Sequence, residues 1–90
     1  MKRNVVYESR FDNELKKIEP DFERADSLIR GIEWVLQRCP EFGTNINKDP
    51  PVWFIPAIDV FDLPYVIYYT FNSQKVFMLS FCLADEAKDR

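Results

Sequence analysis

One long apolar run near the end of the chain, PYVIYYTFNSQKVFMLSFCLA at residues 64–84, restricts the fold more than any other feature. The polar segment 72–75 divides the run into two pieces, and each is far shorter than the roughly 20 apolar residues that a membrane-spanning helix needs. Both pieces are rich in β-branched and aromatic residues. The run therefore predicts an antiparallel β-hairpin with strands at 65–71 and 75–83, and not a membrane segment.

The side chains of each predicted strand alternate between the two faces of the sheet, because successive residues of a strand point in opposite directions. In the last strand, the larger apolar side chains share one face: Phe77, Leu79, Phe81 and Leu83. The other face is smaller and more mixed: Val76, Met78, Ser80 and Cys82. We expect the first face to pack under helices and the second to stay half open as an amphipathic contact surface.

Two amphipathic helices are predicted in the first half of the chain. A short helix over 9–18, with Ser9 as its N-cap, follows from a stripe of apolar residues spaced by four and three: Phe11, Leu15 and Ile18. A longer helix follows from a second stripe at the same kind of spacing: Phe22, Ala25, Ile29, Ile32, Leu36 and Cys39.

Proline and glycine define the limits of the second helix. Pro20 has the fixed φ that suits the first turn of a helix, and Pro40 ends the helix because the residue before a proline disfavours the α conformation. Gly31 lies in the middle of the helix, where glycine is unfavourable, and we expect it to allow a close contact with a neighbouring element.

The remaining segments complete an α+β fold. Residues 4–7, NVVY, predict a short strand, and residues 40–51, PEFGTNINKDPP, predict a loop. Residues 52–58, VWFIPAI, predict an edge or bulged strand because a proline lies within it. The expected order is β-α-α-β-β-β, with a helical hairpin packed on one face of a small antiparallel sheet. The 90 residues form one domain, 1–90, in this interpretation.

The composition limits the chemistry that the chain can perform. It has no histidine, only two glycines and only two cysteines, so we expect no histidine-based triad, no glycine-rich phosphate loop, no metal site and no cofactor. Cys39 and Cys82 are expected to be reduced and buried in a cytoplasmic protein, with a disulfide as the alternative. Asp59 and Asp62 flank a predicted turn, and turn chemistry explains them better than metal binding.

The net charge is −3, and the charges are unevenly spread. Residues 1–45 carry eight basic and nine acidic side chains, whereas no Lys or Arg lies between Lys48 and Lys75. Binding to nucleic acid usually needs a basic patch. The predicted sheet half of the chain is therefore a poor match for an RNA backbone.

The order of predicted elements resembles the RelE/ParE family of bacterial toxins. Residues 11–43, FDNELKKIEPDFERADSLIRGIEWVLQRCPEFG, are similar to the helical hairpin of that family, in which a long helix ends at a proline and a small residue. Residues 65–85, YVIYYTFNSQKVFMLSFCLAD, are similar to its closing hairpin, in which IYY precedes a polar turn and a V-x-x-L strand. The resemblance covers nearly the whole chain.

The resemblance implies a toxin that an antitoxin protein neutralises, acting as a ribosome-dependent messenger RNA endonuclease in one branch and as a poison of DNA gyrase in the other. The nuclease branch often has an arginine before the IIY of its central strand, where this chain has Tyr65 or Val66. It also often has a C-terminal arginine and tyrosine, whereas this chain ends in ADEAKDR without a tyrosine. We therefore expect a toxin-like, protein-binding component that is ParE-like or degenerate in ribonuclease residues.

The candidate functional residues follow from this interpretation. We expect the partner-binding set to comprise four large side chains of the sheet: Trp53, Tyr65, Tyr68 and Met78. Aromatic anchors often dominate interfaces, although packing within the sheet is the favoured explanation for Trp53 and for the tyrosines. Lys48 and Lys75 are candidates for contact with nucleic acid in the ribonuclease alternative, and no catalytic residue is assigned. The third alternative is a self-associating domain without a toxin role, in which the open face forms a homodimer.

Overall fold

A computed structural model describes residues 2–58 and 64–83 of the chain. It has two α-helices and a mixed sheet of five strands, and it confirms the α+β class. In chain order, the elements are β1 (Asn4–Tyr7), α1 (Ser9–Ile18), α2 (Phe22–Arg38), a single 3₁₀ turn (Pro40–Phe42), β2 (Thr44–Lys48), β3 (Pro51–Ile58), β4 (Pro64–Phe71) and β5 (Lys75–Leu83). Among the described residues, no helix is both long and apolar enough to cross a bilayer.

The strand order across the sheet is β1-β5-β4-β3-β2. The hairpin of β4 and β5 is antiparallel, as predicted, and β3 pairs antiparallel with both β4 and β2. β1 runs parallel to β5, so the sheet is mixed and not purely antiparallel. The same apolar pattern is compatible with a parallel and with an antiparallel pair of strands. The sequence therefore did not reveal that β1 and β5 are parallel.

β2 is an edge strand that the sequence pattern did not predict. Its sequence, TNINK, is polar, and four of its five residues are exposed. The strand is therefore stabilised mainly by backbone pairing with β3, because burial of its side chains contributes little. Because β2 covers the outer side of β3, the proline-containing strand β3 is internal, and the expectation that it would be an edge strand was wrong.

A β-bulge in β5 changes which side chains face the helices. Tyr68 pairs with Ser80, but the next residue, Tyr69, pairs with Met78, so Leu79 is an extra residue in β5. A bulge of one residue shifts the inward and outward alternation along the strand by one position. Val76 and Met78 are therefore completely buried before the bulge, and Phe81 is completely buried after it.

The prediction of which β5 side chains face the helices was therefore correct for only half of them. Phe77 and Leu79 are only half-buried, whereas Phe81 and the partly buried Leu83 belong to the core as predicted. In β4 the alternation is uninterrupted within the strand, and Tyr65, Ile67 and Tyr69 all point into the core. The outward residues of β4 and β5 are also less open than expected, since Val66 and Cys82 are buried.

Helix α1 is attached to β5 by one aromatic contact and one carboxylate. The ring of Phe11 meets the ring of Phe81 edge to face, with centroids 5.7 Å apart, and both side chains are completely buried. The Glu14 carboxylate accepts hydrogen bonds from the Ser80 hydroxyl at 2.9 Å and from the Phe81 N–H at 3.2 Å. Since β1 pairs with β5 only up to Met78, Glu14 satisfies the part of the β5 edge that β1 leaves open.

Helix α2 is capped and positioned separately from α1. The Asp21 carboxylate accepts hydrogen bonds from the backbone N–H groups of Glu23 at 3.0 Å and Arg24 at 3.2 Å, which makes Asp21 the N-cap. The C-terminal end of the helix is joined to β1, because the Arg3 N–H donates to the Gln37 carbonyl oxygen at 3.1 Å. The two helices make few direct contacts with each other. Two cap predictions were wrong: Pro20 lies before the N-cap, and Glu8, not Ser9, is the N-cap of α1.

The hydroxyl of Tyr69 holds the chain between α2 and β2 against the sheet. It donates a hydrogen bond to the Pro40 carbonyl oxygen at 2.5 Å and accepts one from the Gly43 N–H at 3.1 Å. Burial raises the pKa of Tyr69 to about 12, because the charged phenolate would lose its hydration. A Cβ on Gly43 would overlap both the Tyr69 hydroxyl and the Phe54 carbonyl oxygen, so only glycine fits this position.

We predict opposite effects for alanine at the two glycines. Gly43→Ala should lower the free energy of unfolding by about 1–3 kcal/mol, since the new methyl group overlaps backbone and side-chain atoms. Gly31→Ala should raise it by about 0.5–1 kcal/mol, because nothing lies within 4 Å of the added Cβ and alanine favours the helix. Urea unfolding of both variants tests this pair, and a loss of stability in Gly31→Ala would contradict the exposed position of this residue.

We also predict that removing the Tyr69 hydroxyl changes stability in a pH-dependent way. Above pH 10 the unfolded chain loses the phenolic proton while the folded chain retains it up to about pH 12, so the free energy of unfolding falls over this range. Tyr69→Phe should reduce this alkaline slope and lower stability by about 1–3 kcal/mol at neutral pH. Tyr68→Phe is the matched control for neutral pH and should cost much less. An unchanged alkaline slope in Tyr69→Phe would contradict the assignment.

Candidate functional site

The four predicted partner-binding residues do not form one surface. Tyr65 and Met78 are completely buried in the core, and neither is available at the surface. Trp53 is half-buried on the face that points toward the helices, where its ring centroid lies 5.3 Å from that of Phe71. Tyr68 lies on the opposite face and is also half-buried, next to Phe54. The alternation of the strands separates residues that are neighbours in the sequence.

The two candidate lysines are also separated. Lys48 lies at the end of β2 and not in a loop, opposite Pro51, while Lys75 begins β5 opposite Asn4. Both occur at the same end of the sheet, but β3 and β4 lie between their strands, which corresponds to roughly 14 Å at the usual strand spacing. The strand register also places them on opposite faces. The structure therefore does not bring these lysines together as a phosphate site.

The cysteines form no disulfide. Cys82 is buried as expected, whereas Cys39 is exposed because it follows the last turn of α2. Asp59 and Asp62, discussed above as turn residues, lie outside the described residues. Within 2–58 and 64–83, no three histidine, cysteine, aspartate or glutamate side chains are placed to hold a metal ion.

A concave surface, the interhelical groove, lies between α1 and α2. Its cavity volume is about 460 Å³, within the range of ligand-binding sites in proteins. β1 contributes Tyr7, α1 contributes Asp12, Leu15 and Lys16, and the segment between the helices contributes Glu19 and Pro20. Helix α2 contributes the rest of the lining: Phe22, Ala25, Asp26, Ile29, Arg30 and Glu33.

The floor of the interhelical groove is apolar. Ala25 and Ile29 are buried on the inner side of α2, and Leu15 faces them from α1 as a partly buried residue. Phe22 lies at the rim and is 80% exposed. Among the described residues, four large apolar side chains are exposed, and of these only Phe22 lines the groove: Phe22, Trp34, Phe42 and Ile46. The sequence pattern had placed Phe22 in the core-facing stripe of α2, and this expectation was wrong.

Three of the four acidic side chains that line the interhelical groove have specific partners. Glu19 is only 7% exposed. It accepts a hydrogen bond from the Tyr65 hydroxyl at 3.2 Å and forms an ion pair with Arg24 at 3.5 Å. The Tyr7 hydroxyl donates to Glu33 Oε2, and both burial and this carboxylate raise the pKa of Tyr7. Asp26 pairs with Arg30 at 2.8 Å. Glu19 and Glu33 are therefore fixed by partners within the fold, whereas the side chains of Asp26 and Arg30 are exposed to solvent.

The lining of this groove suits the binding of apolar side chains. Three of its four carboxylates, those of Glu33, Glu19 and Asp26, contact Tyr7, Arg24 and Arg30 respectively. An apolar floor with charged groups around it is the usual arrangement for holding apolar side chains in a defined orientation. The sequence showed the two apolar stripes, but the space between the helices depends on how far apart the sheet holds them.

Comparison with known proteins adds no assignment. No protein-family model matches the chain, and no curated protein matches it.

We predict that Glu19 and Tyr65 stabilise the fold jointly at the base of the interhelical groove. Glu19→Ala should lower the free energy of unfolding by about 1–3 kcal/mol, because it removes a buried acceptor of the Tyr65 hydroxyl and of the Asp21 N–H. A double-mutant cycle with Tyr65→Phe should give a coupling energy of about 0.5–1.5 kcal/mol. Glu23→Ala, an exposed position in the first turn of α2, is the control. Additive effects of the two substitutions would show that the contact carries no energy.

Proposed function

We propose that this chain is a toxin-like component of a bacterial type II toxin–antitoxin system, ParE-like or degenerate RelE-like, that acts by binding a protein partner. The single observation that carries the binding part is the interhelical groove, with its apolar floor and the exposed Phe22 at its rim. Apolar side chains exposed beside a preformed groove bury additional apolar surface when a partner docks. The antitoxin is the expected partner in this role.

The toxin–antitoxin part of the proposal is supported by the RelE/ParE-like pattern of the sequence. The structure contains a short strand, two helices and a closing antiparallel hairpin in chain order, with β2 and β3 between the helices and the hairpin, and this sequence of elements supports the proposal. The parallel pairing of β1 with β5 and the additional strand β2 complete the sheet around this pattern. The pattern concerns most of the chain, and no single residue of it is diagnostic.

The ribonuclease alternative has less support. Cleavage of RNA by attack of the ribose hydroxyl needs cationic groups near the phosphate and a group that transfers a proton. Lys48 and Lys75 are separated by two strands, and the phenols of Tyr65 and Tyr69 are buried. Tyr68 is the one tyrosine of β4 that is not fully buried, and it lies on the outward face. These positions give no common centre for the reaction.

Growth and co-purification test the proposal. Induction of the chain alone in bacteria should arrest growth, and co-expression with the product of an adjacent small gene should restore growth and yield a complex that co-purifies. Phe22→Ser should weaken this complex by about tenfold or more, as expected for an aromatic anchor. Trp34→Ser is the matched control, because Trp34 is 60% exposed on α2 but does not line the groove.

Two further measurements separate the alternatives. Cleavage of messenger RNA by the purified chain in a translation extract, lost in Lys75→Ala or Tyr68→Phe, would favour the ribonuclease. A dimeric mass by light scattering, with no adjacent partner and no growth arrest, would favour the self-associating domain. Growth arrest that persists without cleavage, together with a complex that depends on Phe22, is the result that the proposal expects.

A further inference from the structure

We infer that the interhelical groove binds a basic amphipathic helix, a partner segment that inserts apolar side chains between α1 and α2 and places lysine or arginine beside the acidic rim. The inference rests on the proposed function only in that the site is a protein-binding groove, and it names the chemistry of the occupant.

The floor accepts side chains and not a whole polypeptide. A cavity of about 460 Å³ over Leu15, Ala25 and Ile29 has room for a small number of apolar side chains. A helix presents such side chains on one face at positions i, i+3 or i+4, and i+7, which is how amphipathic helices dock into grooves between packed elements. Phe22, exposed at the rim, supplies additional apolar surface for the same face of the partner.

The rim is acidic. Four carboxylates and only two cationic groups line the interhelical groove. The carboxylates belong to Asp12, Glu19, Asp26 and Glu33, and the cationic groups to Lys16 and Arg30. Arg30 is already paired with Asp26 at 2.8 Å. Glu19 is likewise paired with Arg24 at 3.5 Å. Asp12 is exposed on α1 and makes no ion pair within the described part of the chain. Asp12 and Glu33 therefore remain against Lys16, which leaves an excess of one negative charge beside the apolar floor.

This charge selects among the occupants that the shape would admit. An acidic peptide or a nucleic acid would meet like charge at the rim, which costs affinity and slows association. A second copy of the chain carries a net charge of −3, so the overall charge disfavours self-association. A helix with an apolar face flanked by lysines or arginines complements both the floor and the rim.

Synthetic peptides provide the direct test. The probe is a helical peptide of about 15 residues, with leucine at the repeating anchor positions and lysine elsewhere, and its partner probe replaces every lysine with glutamate. A third peptide has the composition of the first in scrambled order, so that it keeps the charge and loses the apolar face. Titration of the isotope-labelled chain with the first peptide should shift the backbone amide signals of Ala25 and Ile29. The other two peptides should bind with a Kd about tenfold higher or cause no shifts.

Two substitutions on the same exposed side of α1 give opposite expectations. Asp12→Asn removes a negative charge from the rim and should weaken binding of the lysine peptide, whereas Lys16→Gln removes a positive charge and should strengthen it. Each change should be roughly twofold to fivefold in Kd at low salt and smaller at high salt. Glu41→Gln is the matched control, because Glu41 is exposed in the 3₁₀ turn and does not line the groove.

The outcomes are distinguishable from those of the proposed function. Equal binding of the lysine and glutamate peptides, no binding of either, signal shifts outside the interhelical groove, or equal effects of Asp12→Asn and Lys16→Gln would each overturn the inference. A complex with the adjacent gene product that depends on Phe22 would still support a protein-binding role in that case. Conversely, absence of growth arrest and of a genetic partner would remove the toxin–antitoxin proposal, while a charge-selective groove would stand.

Discussion

Strand β5 is the element on which the rest of the structure depends. It pairs with β1 on one side and with β4 on the other, and its inward side chains meet α1. Three of its side chains are completely buried in the core cluster: Val76, Met78 and Phe81. Disruption of β5 would therefore remove backbone pairing, core packing and the attachment of a helix at the same time. For this reason the apolar strand is the centre of so small a domain.

The separation of the two helices follows from how each one is attached. Phe11 and Glu14 hold helix α1 to the C-terminal half of β5. Helix α2 is joined to the residue before β1 by the backbone hydrogen bond between Arg3 and Gln37. Each helix is held by the sheet and not by the other helix, so a space remains between them. The floor of this space consists of apolar side chains that the two helices contribute. The interhelical groove is thus a consequence of the attachment points.

Much of the fold could be predicted from local patterns. The limits of β5 were predicted to the residue, because lysine and the polar turn before it interrupt an otherwise apolar run. The limits of α1 were predicted as observed, and Pro40 indicated where α2 ends, whereas its start was expected at Pro20 and lies at Phe22. The face of β5 that meets the helices could be predicted only in part, because a bulge at Leu79 reverses the alternation without leaving a mark in the composition.

The candidate site was much less predictable. Tyr65 and Met78 have the side chains of interface anchors and equally those of core residues, and only the sheet register decides between these roles. Phe22 belonged to a regular apolar stripe, so its exposure could not be foreseen from spacing alone. The acidic rim combines Asp12 of α1 with Asp26 and Glu33 of α2, and residues so far apart in sequence become neighbours only through the sheet that positions both helices.

The sequence by itself determined both helices and four of the five strands, because these elements depend on spacing, proline and side-chain branching within a few residues. It also determined that the chain lacks the histidines and glycines of several common catalytic sites. Only the tertiary structure decided that β1 runs parallel to β5, that a polar segment becomes the edge strand β2, and that the helices leave a groove between them. These features arise from pairing and packing between distant segments, and such contacts depend on the whole arrangement of the chain and not on any local pattern.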